Sequence, residues 1–329
     1  MTPRSPHLPG PHAAAPIASP IPGTWIASGL AVMVIGIVTL MWRAGLTIDP
    51  TAPSCRPFYL VGALAFGLRF GLTNGSTRLQ RIVRDGAEFY GIFTLMVITG
   101  AVSCYPVAAL SRGFVDAALD RADAALGFDW MTWYRFVAAR PFLQDAGRAV
   151  YESIYLSPVA IIAHYAVTGR RDRAYVFFAT FWLAAVITLI LYRFMPAVGP
   201  LAFRVHGTVS YMPISRLWQP ELIPALRERT VHIVDLGELR GLVSAPSFHA
   251  AAAVLFIAAA RPLGWLRWPV AILNALMLLS TPVEGTHYLT DLLLGAAVAG
   301  VAIVAVNRIA AWRSARFGAQ ALSRAYAAG

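Results

Sequence analysis

Long apolar segments separated by short polar loops make up most of the chain after residue 23. A helix needs about 20 consecutive apolar residues to cross the hydrocarbon core of a bilayer. Segments near that length recur along the sequence, and they predict an all-α polytopic membrane bundle with about eight transmembrane helices. The predicted helices cover residues 25–42, 58–72, 89–110, 150–167, 174–194, 246–260, 268–281 and 288–309.

The overall composition supports a membrane protein. Of the 329 residues, 58% are hydrophobic and 13% are charged, whereas soluble domains carry about 25% charged residues. Residues 1–23 are rich in Pro, Ala, Ser and His and predict a disordered cytoplasmic tail. Because this tail lacks the basic start and cleavage site of a signal peptide, we interpret 25–42 as a retained first span.

The distribution of arginine predicts the orientation in the membrane. All 27 basic residues are Arg, and the net charge is +11. Arg residues concentrate in the loops after the second, fourth and sixth predicted helices and in the C-terminal tail, which all fall on one side. The positive-inside rule places that side, with both termini, in the cytoplasm of an integral inner-membrane protein. Topology thus explains the basic excess, and no nucleic-acid partner is predicted.

Two longer segments, 111–148 and 195–245, are then expected at the outer face. In the first, Val115, Leu119, Ala122 and Leu126 recur at helical spacing. Asp116, Asp120 and Asp123 lie on another face of the same predicted helix. The pattern predicts an amphipathic helix in the headgroup plane. The two cysteines, Cys55 and Cys104, are interpreted as inert thiols, with a bridge as the alternative.

The first cluster with chemical potential is Ser244-Ala-Pro246-Ser247-Phe-His249, which opens the sixth predicted helix. Pro246 suits a first helical turn, and Ser244 or Ser247 can cap it. Free backbone N–H groups and the helix dipole attract phosphate at such a helix start. His249 lies within one turn of this end, so it is a candidate for acid–base chemistry on a phosphate.

The second cluster is Gly285-Thr-His287-Tyr-Leu-Thr-Asp291, which opens the eighth predicted helix. On a helix, residues four apart share one face. The Asp291 carboxylate can therefore orient the His287 imidazole and leave its other nitrogen free as a nucleophile. Both clusters fall on the predicted outer side, which indicates a shared cavity. The alternatives are a helix staple, a zinc site built from both histidines and Asp291, and a proton-relaying transporter.

These motifs resemble the type-2 phosphatidic acid phosphatase superfamily. The motifs that resemble those of the superfamily are Pro246-Ser247-Phe-His249 and His287-x3-Asp291. The resemblance is closer to the inositol phosphorylceramide synthase (aureobasidin-resistance) group. That closer resemblance rests on three further stretches: Tyr192-Arg-Phe-Met-Pro196-Ala-Val-Gly-Pro200, Asp120-x6-Gly127-Phe-Asp-Trp130 and Tyr151-Glu-Ser153.

The resemblance implies a domain organisation and a set of roles. A six-helix catalytic core covers 88–310, after two additional helices in 24–87 and before a basic cytoplasmic tail at 311–329. His287 would be the nucleophile, Asp291 its partner and His249 the general acid, without metal or other cofactor. The superfamily's Lys-x6-Arg-Pro element and the Arg before the last His are absent here. The residues expected to bind phosphate instead are Ser247, Arg193, Arg204 and Arg240.

The expected substrates are lipids of the bilayer, contacted by Tyr192, Glu152 and Tyr288. The resemblance favours transfer of a phosphorylated head group, such as phosphoinositol, onto a lipid hydroxyl such as that of ceramide. Hydrolysis of a lipid phosphate is the alternative. The sequence makes no prediction about the oligomeric state.

Overall fold

The computed structural model describes residues 20–327, with side chains up to residue 316. The described chain is helical throughout and contains no β-strand, only an isolated bridge between Thr47 and Ile233. The predicted all-α bundle is therefore confirmed. Residues 1–19 of the predicted N-terminal tail lie outside the described part of the chain.

Thirteen α-helices follow one another along the described chain, joined by short loops and single 3₁₀ turns. They are α1 (Gly23–Ala44), α2 (Arg56–Gly71), α3 (Arg78–Leu110), α4 (Asp116–Ala125), α5 (Trp130–Ala138), α6 (Pro141–Glu152), α7 (Leu156–Thr168), α8 (Arg171–Tyr192), α9 (Pro200–Arg204), α10 (Gln219–Arg227), α11 (Phe248–Ala259), α12 (Arg267–Glu284) and α13 (Leu289–Ala327). The last helix continues through most of the predicted C-terminal tail.

Five helical segments are long and apolar enough to cross a membrane: Gly23–Ala44, Arg78–Leu110, Arg171–Tyr192, Gly264–Glu284 and Leu289–Arg316. The other three predicted spans form shorter helices. Helix α2 has 16 residues, which extend over about 24 Å. The short apolar helix α11 has only 12 residues.

The predicted span at 150–167 is interrupted rather than continuous. Helix α6 ends at Glu152, a 3₁₀ turn covers Ser153–Tyr155, and α7 begins at Leu156. Pro158 explains the break, because its ring cannot follow a regular α-helical turn but is tolerated in the first turn of a new helix. The bend places the end of α6 against α12.

Helix α11 lies at the centre of the bundle, packed against α7, α8, α12 and α13. Its residues Ala250, Ala251, Ala252 and Ala253 are fully buried. Small side chains let neighbouring helices approach closely, which is how helices associate in a lipid environment. The N-terminus of α11 is therefore held within the protein rather than at its surface.

Helix α2 is attached to the bundle at its edge. It packs on α3 and has no buried residue. Arg69 of α2 forms an ion pair with Glu88 of α3, and Glu88 also pairs with Arg171 and accepts a hydrogen bond from Tyr175. An intramembrane charge is costly unless it is paired, so this network explains how α2 carries an arginine.

Burial along α4 departs from the amphipathic pattern predicted for this helix. Asp116 and Asp123 are buried, with 2% and 1% exposure, whereas the predicted apolar-face residue Leu126 is 56% exposed. Leu119 is buried as expected. The two carboxylates turn inward because backbone N–H groups of other segments need acceptors there, a requirement that helical periodicity does not reveal.

Both cysteines are buried free thiols, so the interpretation of Cys55 and Cys104 as unbridged residues is confirmed.

Candidate active site at the starts of α11 and α13

Ser247 caps the N-terminus of α11 by accepting a hydrogen bond from the Ala250 N–H at 3.4 Å. Pro246 precedes the cap rather than occupying the first turn, since the helix begins at Phe248. The Ser244 hydroxyl does not cap the helix but donates to the Ala197 carbonyl at 2.8 Å. The first N–H groups of α11 have no acceptor within the helix. They lie beside His249, the second residue of this helix.

His287 and Asp291 contact each other, although not on one helix as predicted. His287 lies in the loop before α13, which begins at Leu289, and Thr286 has a positive φ of 50°. Nδ1 of His287 lies 3.4 Å from Oδ2 of Asp291. The same oxygen accepts the Tyr288 N–H at 3.1 Å. Asp291 thus contacts Nδ1 of His287, and Nε2 is the ring nitrogen that does not contact this carboxylate.

The two helix starts are joined directly to each other. The Ser247 N–H donates to the Asp291 carbonyl oxygen at 3.0 Å. Gly295, one turn further along α13, allows this approach, because a Cβ there would lie 2.1 Å from the Ser247 carbonyl oxygen. His249 and His287 are within range of a direct electrostatic interaction. The structure thus brings the three residues of the two sequence motifs to one place.

Tyr151, at the end of α6, covers both histidines. Its ring stacks on His249 with centroids 4.3 Å apart and planes 14° apart. Its hydroxyl is 3.4 Å from Nδ1 of His249, but a stacked phenol directs its O–H poorly toward the neighbouring ring. A Cβ atom at Gly285 would lie 3.1 Å from Cε2 of Tyr151 and 2.6 Å from Cδ2 of His287, so both rings border this glycine.

Substitution of Tyr151 separates the effect of its ring from that of its hydroxyl. We expect Tyr151→Phe to keep near-normal turnover, because stacking on His249 is retained. Tyr151→Ala should lower kcat by roughly 10–100-fold, since the imidazole loses its fixed orientation. Steady-state kinetics of both variants measure this difference. A Phe variant as impaired as the Ala variant would instead assign the effect to the hydroxyl.

Two carboxylates of α4 hold the His287 loop in place. Asp123 accepts hydrogen bonds from the N–H groups of Leu289 and Thr290, both at 2.8 Å, and from the Thr290 hydroxyl at 2.7 Å. It therefore caps α13 from another helix. Asp116 accepts hydrogen bonds from the N–H groups at 198 and 199, both at 3.0 Å, and from the Tyr288 hydroxyl at 3.1 Å.

We expect Asp123→Ala to lower the free energy of unfolding by about 2 kcal/mol, because it leaves buried donors of α13 without an acceptor. Asp145→Ala, which removes an exposed carboxylate from α6, is the matched control and should change stability little. Thermal unfolding of the purified variants measures both effects. Equal stabilities of the two variants would contradict the capping role of Asp123.

A buried acid also fixes the end of α12, just before the His287 loop. Glu284 is 1% exposed and accepts hydrogen bonds from the Tyr211 hydroxyl at 2.7 Å and the Ile214 N–H at 3.2 Å. Nε of Arg148 donates to the Tyr211 hydroxyl at 2.9 Å. Burial raises the pKa of Tyr211 to about 12, so this hydroxyl remains a hydrogen-bond donor.

The electrostatic environment keeps His287 neutral. Burial lowers its pKa to about 4, and the Ser244 carbonyl opposes this shift in part. The imidazole is then uncharged near pH 7 and carries a lone pair that can attack an electrophile. Among the described residues, no group of three or more His, Cys, Asp and Glu side chains is arranged to hold a metal ion.

The predicted phosphate-binding arginines lie in separate surroundings. Arg204 pairs with Asp120 and lies 3.6 Å from Asp129. Arg240 pairs with Glu238, and its guanidinium stacks 4.1 Å from the Trp218 ring centroid. Arg193 follows α8, and its guanidinium lies 5.9 Å from the Phe194 ring centroid. In the described chain, none of the three donates a hydrogen bond to either histidine.

The three predicted substrate-contacting residues are also dispersed. Tyr288 follows His287 in the same loop, is buried, and donates a hydrogen bond from its hydroxyl to Asp116. Tyr192 is buried in an apolar cluster that includes Cys104 and Leu226. Glu152 is exposed at the break between α6 and α7.

Comparison with known proteins identifies the family. The sequence model of the PAP2 superfamily matches residues 117–305, more than half of the 329-residue chain. The matched region begins in α4 and ends in α13, so it contains Tyr151 and both histidines. No curated protein and no solved structure matches the chain. The coverage of the family match shows that this chain, with its paired histidines at two helix starts, belongs to the PAP2 superfamily.

Proposed function

We propose that the protein is a membrane-embedded lipid phosphotransferase that moves a phosphorylated head group onto a lipid hydroxyl through a phosphohistidine intermediate. The observation that supports this proposal is the hydrogen bond that joins the two helix starts, beside which His249 and the His287–Asp291 pair lie. Membership of the PAP2 superfamily supports phosphatase or phosphotransferase chemistry on lipid-like phosphates.

In the first step, the Nε2 lone pair of His287 attacks phosphorus, and the bond from phosphorus to the departing alcohol oxygen breaks. His249 enters this step as the imidazolium cation, gives one ring proton to that oxygen and becomes neutral. Asp291 stabilises the positive charge that develops on the His287 ring. In the second step, His249 takes the proton of the acceptor hydroxyl, whose oxygen attacks phosphorus while the P–N bond electrons return to His287. No step requires a metal ion.

Phosphate oxygens would be bound at the start of α11, by Ser247 and the first free N–H groups of the helix. The helix dipole adds favourable charge there, and donors aimed at the oxygens stabilise the transition state. Arg204 and Arg240 are further candidates, since guanidinium groups match phosphate geometry. Glu152 and Tyr288 remain proposed substrate contacts, whereas Arg193 and Tyr192 lie with a different cationic group, described below.

The motif resemblance favours transfer over hydrolysis, with phosphoinositol as the candidate head group and a ceramide-like lipid as the candidate acceptor. Hydrolysis of a lipid phosphate is the second candidate, in which water replaces the acceptor hydroxyl. The arginine distribution supports an inner-membrane location with cytoplasmic termini and a site that opens to the outer face.

The test is a product assay with purified protein in nanodiscs, in the presence of EDTA. Phosphatidylinositol, with and without ceramide, and phosphatidic acid are supplied separately, and the products are identified by mass spectrometry. A ceramide-dependent phospholipid supports transfer, and free phosphate from phosphatidic acid supports hydrolysis. If no supplied lipid changes, or if turnover requires a divalent cation, the proposal is wrong.

A further inference from the structure

A second group of cationic side chains lies where the ends of α3, α8 and α10 meet. Arg227 ends α10 and donates from Nη2 to the Ser111 hydroxyl and the Gly113 carbonyl, both at 2.8 Å. Arg193 directly follows Tyr192, the last residue of α8. Burial, together with the charge of Arg193, lowers the pKa of Arg227 from its ordinary value. Neither arginine forms an ion pair with a carboxylate in the described chain, and a partly buried charge without a counter-ion is unfavourable in the absence of an anion.

Buried donors without partners lie at the same place. Nε of Arg227 is buried and has no hydrogen-bond partner among the described residues. The hydroxyl of Tyr192, a residue with 0% exposure, is also buried without a partner. Tyr192 packs in the same apolar cluster as Ala108 and Leu226, neighbours of Ser111 and Arg227. Buried donors in folded proteins are normally satisfied, so these atoms indicate a missing acceptor.

Exposed aromatic side chains border this group. The Phe114 ring centroid lies 4.5 Å from the Arg227 guanidinium carbon, and Phe114 is 40% exposed. Phe194, beside Arg193, is 70% exposed. Exposed apolar rings can face acyl chains, and arginine side chains near helix ends reach the level of the lipid head groups. The surroundings therefore suit an anion carried by a lipid.

We propose that Arg193, Arg227, Tyr192 and Ser111 form a phosphate-binding subsite, separate from the histidine site, that takes the phosphate of a lipid head group or a free phosphate ion. Guanidinium groups supply the charge, and the two hydroxyls supply neutral donors. Six residues after Arg193, the N–H of Gly199 donates a hydrogen bond to Asp116. Gly199 also lies close to the His287 loop, because a Cβ there would be 2.7 Å from the Thr286 carbonyl oxygen. The subsite does not require that the histidines react.

The test measures ligand-dependent stabilisation of the full-length protein. Inorganic phosphate is titrated in detergent, and phosphatidylglycerol is titrated into phosphatidylcholine nanodiscs, while the thermal unfolding midpoint is followed. We expect Arg193→Gln and Arg227→Gln each to weaken the apparent affinity about tenfold. Arg227→Lys should retain part of it. Stabilisation by phosphatidylglycerol identifies a lipid phosphate, and stabilisation by inorganic phosphate alone identifies the free ion.

Two controls separate this subsite from the catalytic site. Arg229→Gln removes an exposed arginine two residues away and should leave the affinity unchanged. His287→Ala should bind as the wild type does, whether or not the protein proves to be a phosphotransferase. The subsite is disproved if neither ligand stabilises the wild type, or if the Arg193 and Arg227 variants bind normally. It is also disproved if His287→Ala abolishes the stabilisation.

Discussion

His287→Ala should lower kcat for phosphoryl transfer by at least about 10⁴-fold, because it removes the proposed nucleophile of the proposed covalent mechanism. The replacement keeps the backbone of the loop, whose position is fixed by Asp116 and Asp123 through Val198, Gly199, Tyr288 and the first residues of α13. Folding and membrane insertion should therefore survive. The measurement compares single-turnover rates of the wild type and the variant with the same lipid.

A matched control is His206→Ala, which removes an exposed histidine from the loop after α9. It should retain wild-type turnover. Acid-labile labelling by a radioactive phosphate donor adds a direct readout, since a phosphohistidine would be lost in His287→Ala and retained in His206→Ala. Wild-type rates in His287→Ala would refute the nucleophile assignment, even if the protein is an enzyme.

Gly295→Ala should destabilise the protein by about 3 kcal/mol or more and abolish activity. The added methyl group would lie 2.1 Å from the Ser247 carbonyl oxygen and 3.1 Å from Cβ of Ala250. The backbone of α11 cannot move away without breaking the hydrogen bond from Ser247 to Asp291. Separation of the two helix starts would also separate His249 from His287.

Gly300→Ala, in the same helix, provides the control, because a Cβ there meets nothing within 4 Å. Alanine is the better helix former by about 1 kcal/mol, so this variant should be as stable as the wild type or slightly more so. Unfolding midpoints and activities of both variants measure the contrast. Equal behaviour of the two variants would show that the contact between α11 and α13 is not needed.

The helical nature of the chain could be predicted from hydropathy alone, because long apolar segments have few alternatives in a bilayer. Hydropathy does not show where a helix bends. The break between Glu152 and Leu156 depends on Pro158 and on packing against α12, which the apolar composition of 150–167 conceals. Helical periodicity also did not predict which side of α4 is buried. Asp116 and Asp123 accept hydrogen bonds from backbone N–H groups more than 70 residues away, and the local sequence does not show these partners.

The candidate site could be predicted from sequence only where its residues are close together along the chain. His287 and Asp291 are four residues apart, and His249 adjoins a capping serine, so motif spacing found all three. Tyr151 comes from a helix almost 100 residues before His249, and no local pattern indicates that its ring stacks there. The sequence signal that marks it is the Tyr151-Glu-Ser153 stretch of the family resemblance, which assigns Tyr151 no role.

The ring of Tyr151 has a consequence for the order of events during turnover. With the ring stacked on His249, His287 is only 4% exposed. In the proposed reaction, an alcohol that passes this ring on its way to His287 would require the ring to swing aside, so a two-step reaction would need a separate opening for each exchange. Between openings, the phosphorylated imidazole would be shielded from bulk water, and a bulky lipid that wedges the ring open would gain an advantage over hydrolysis.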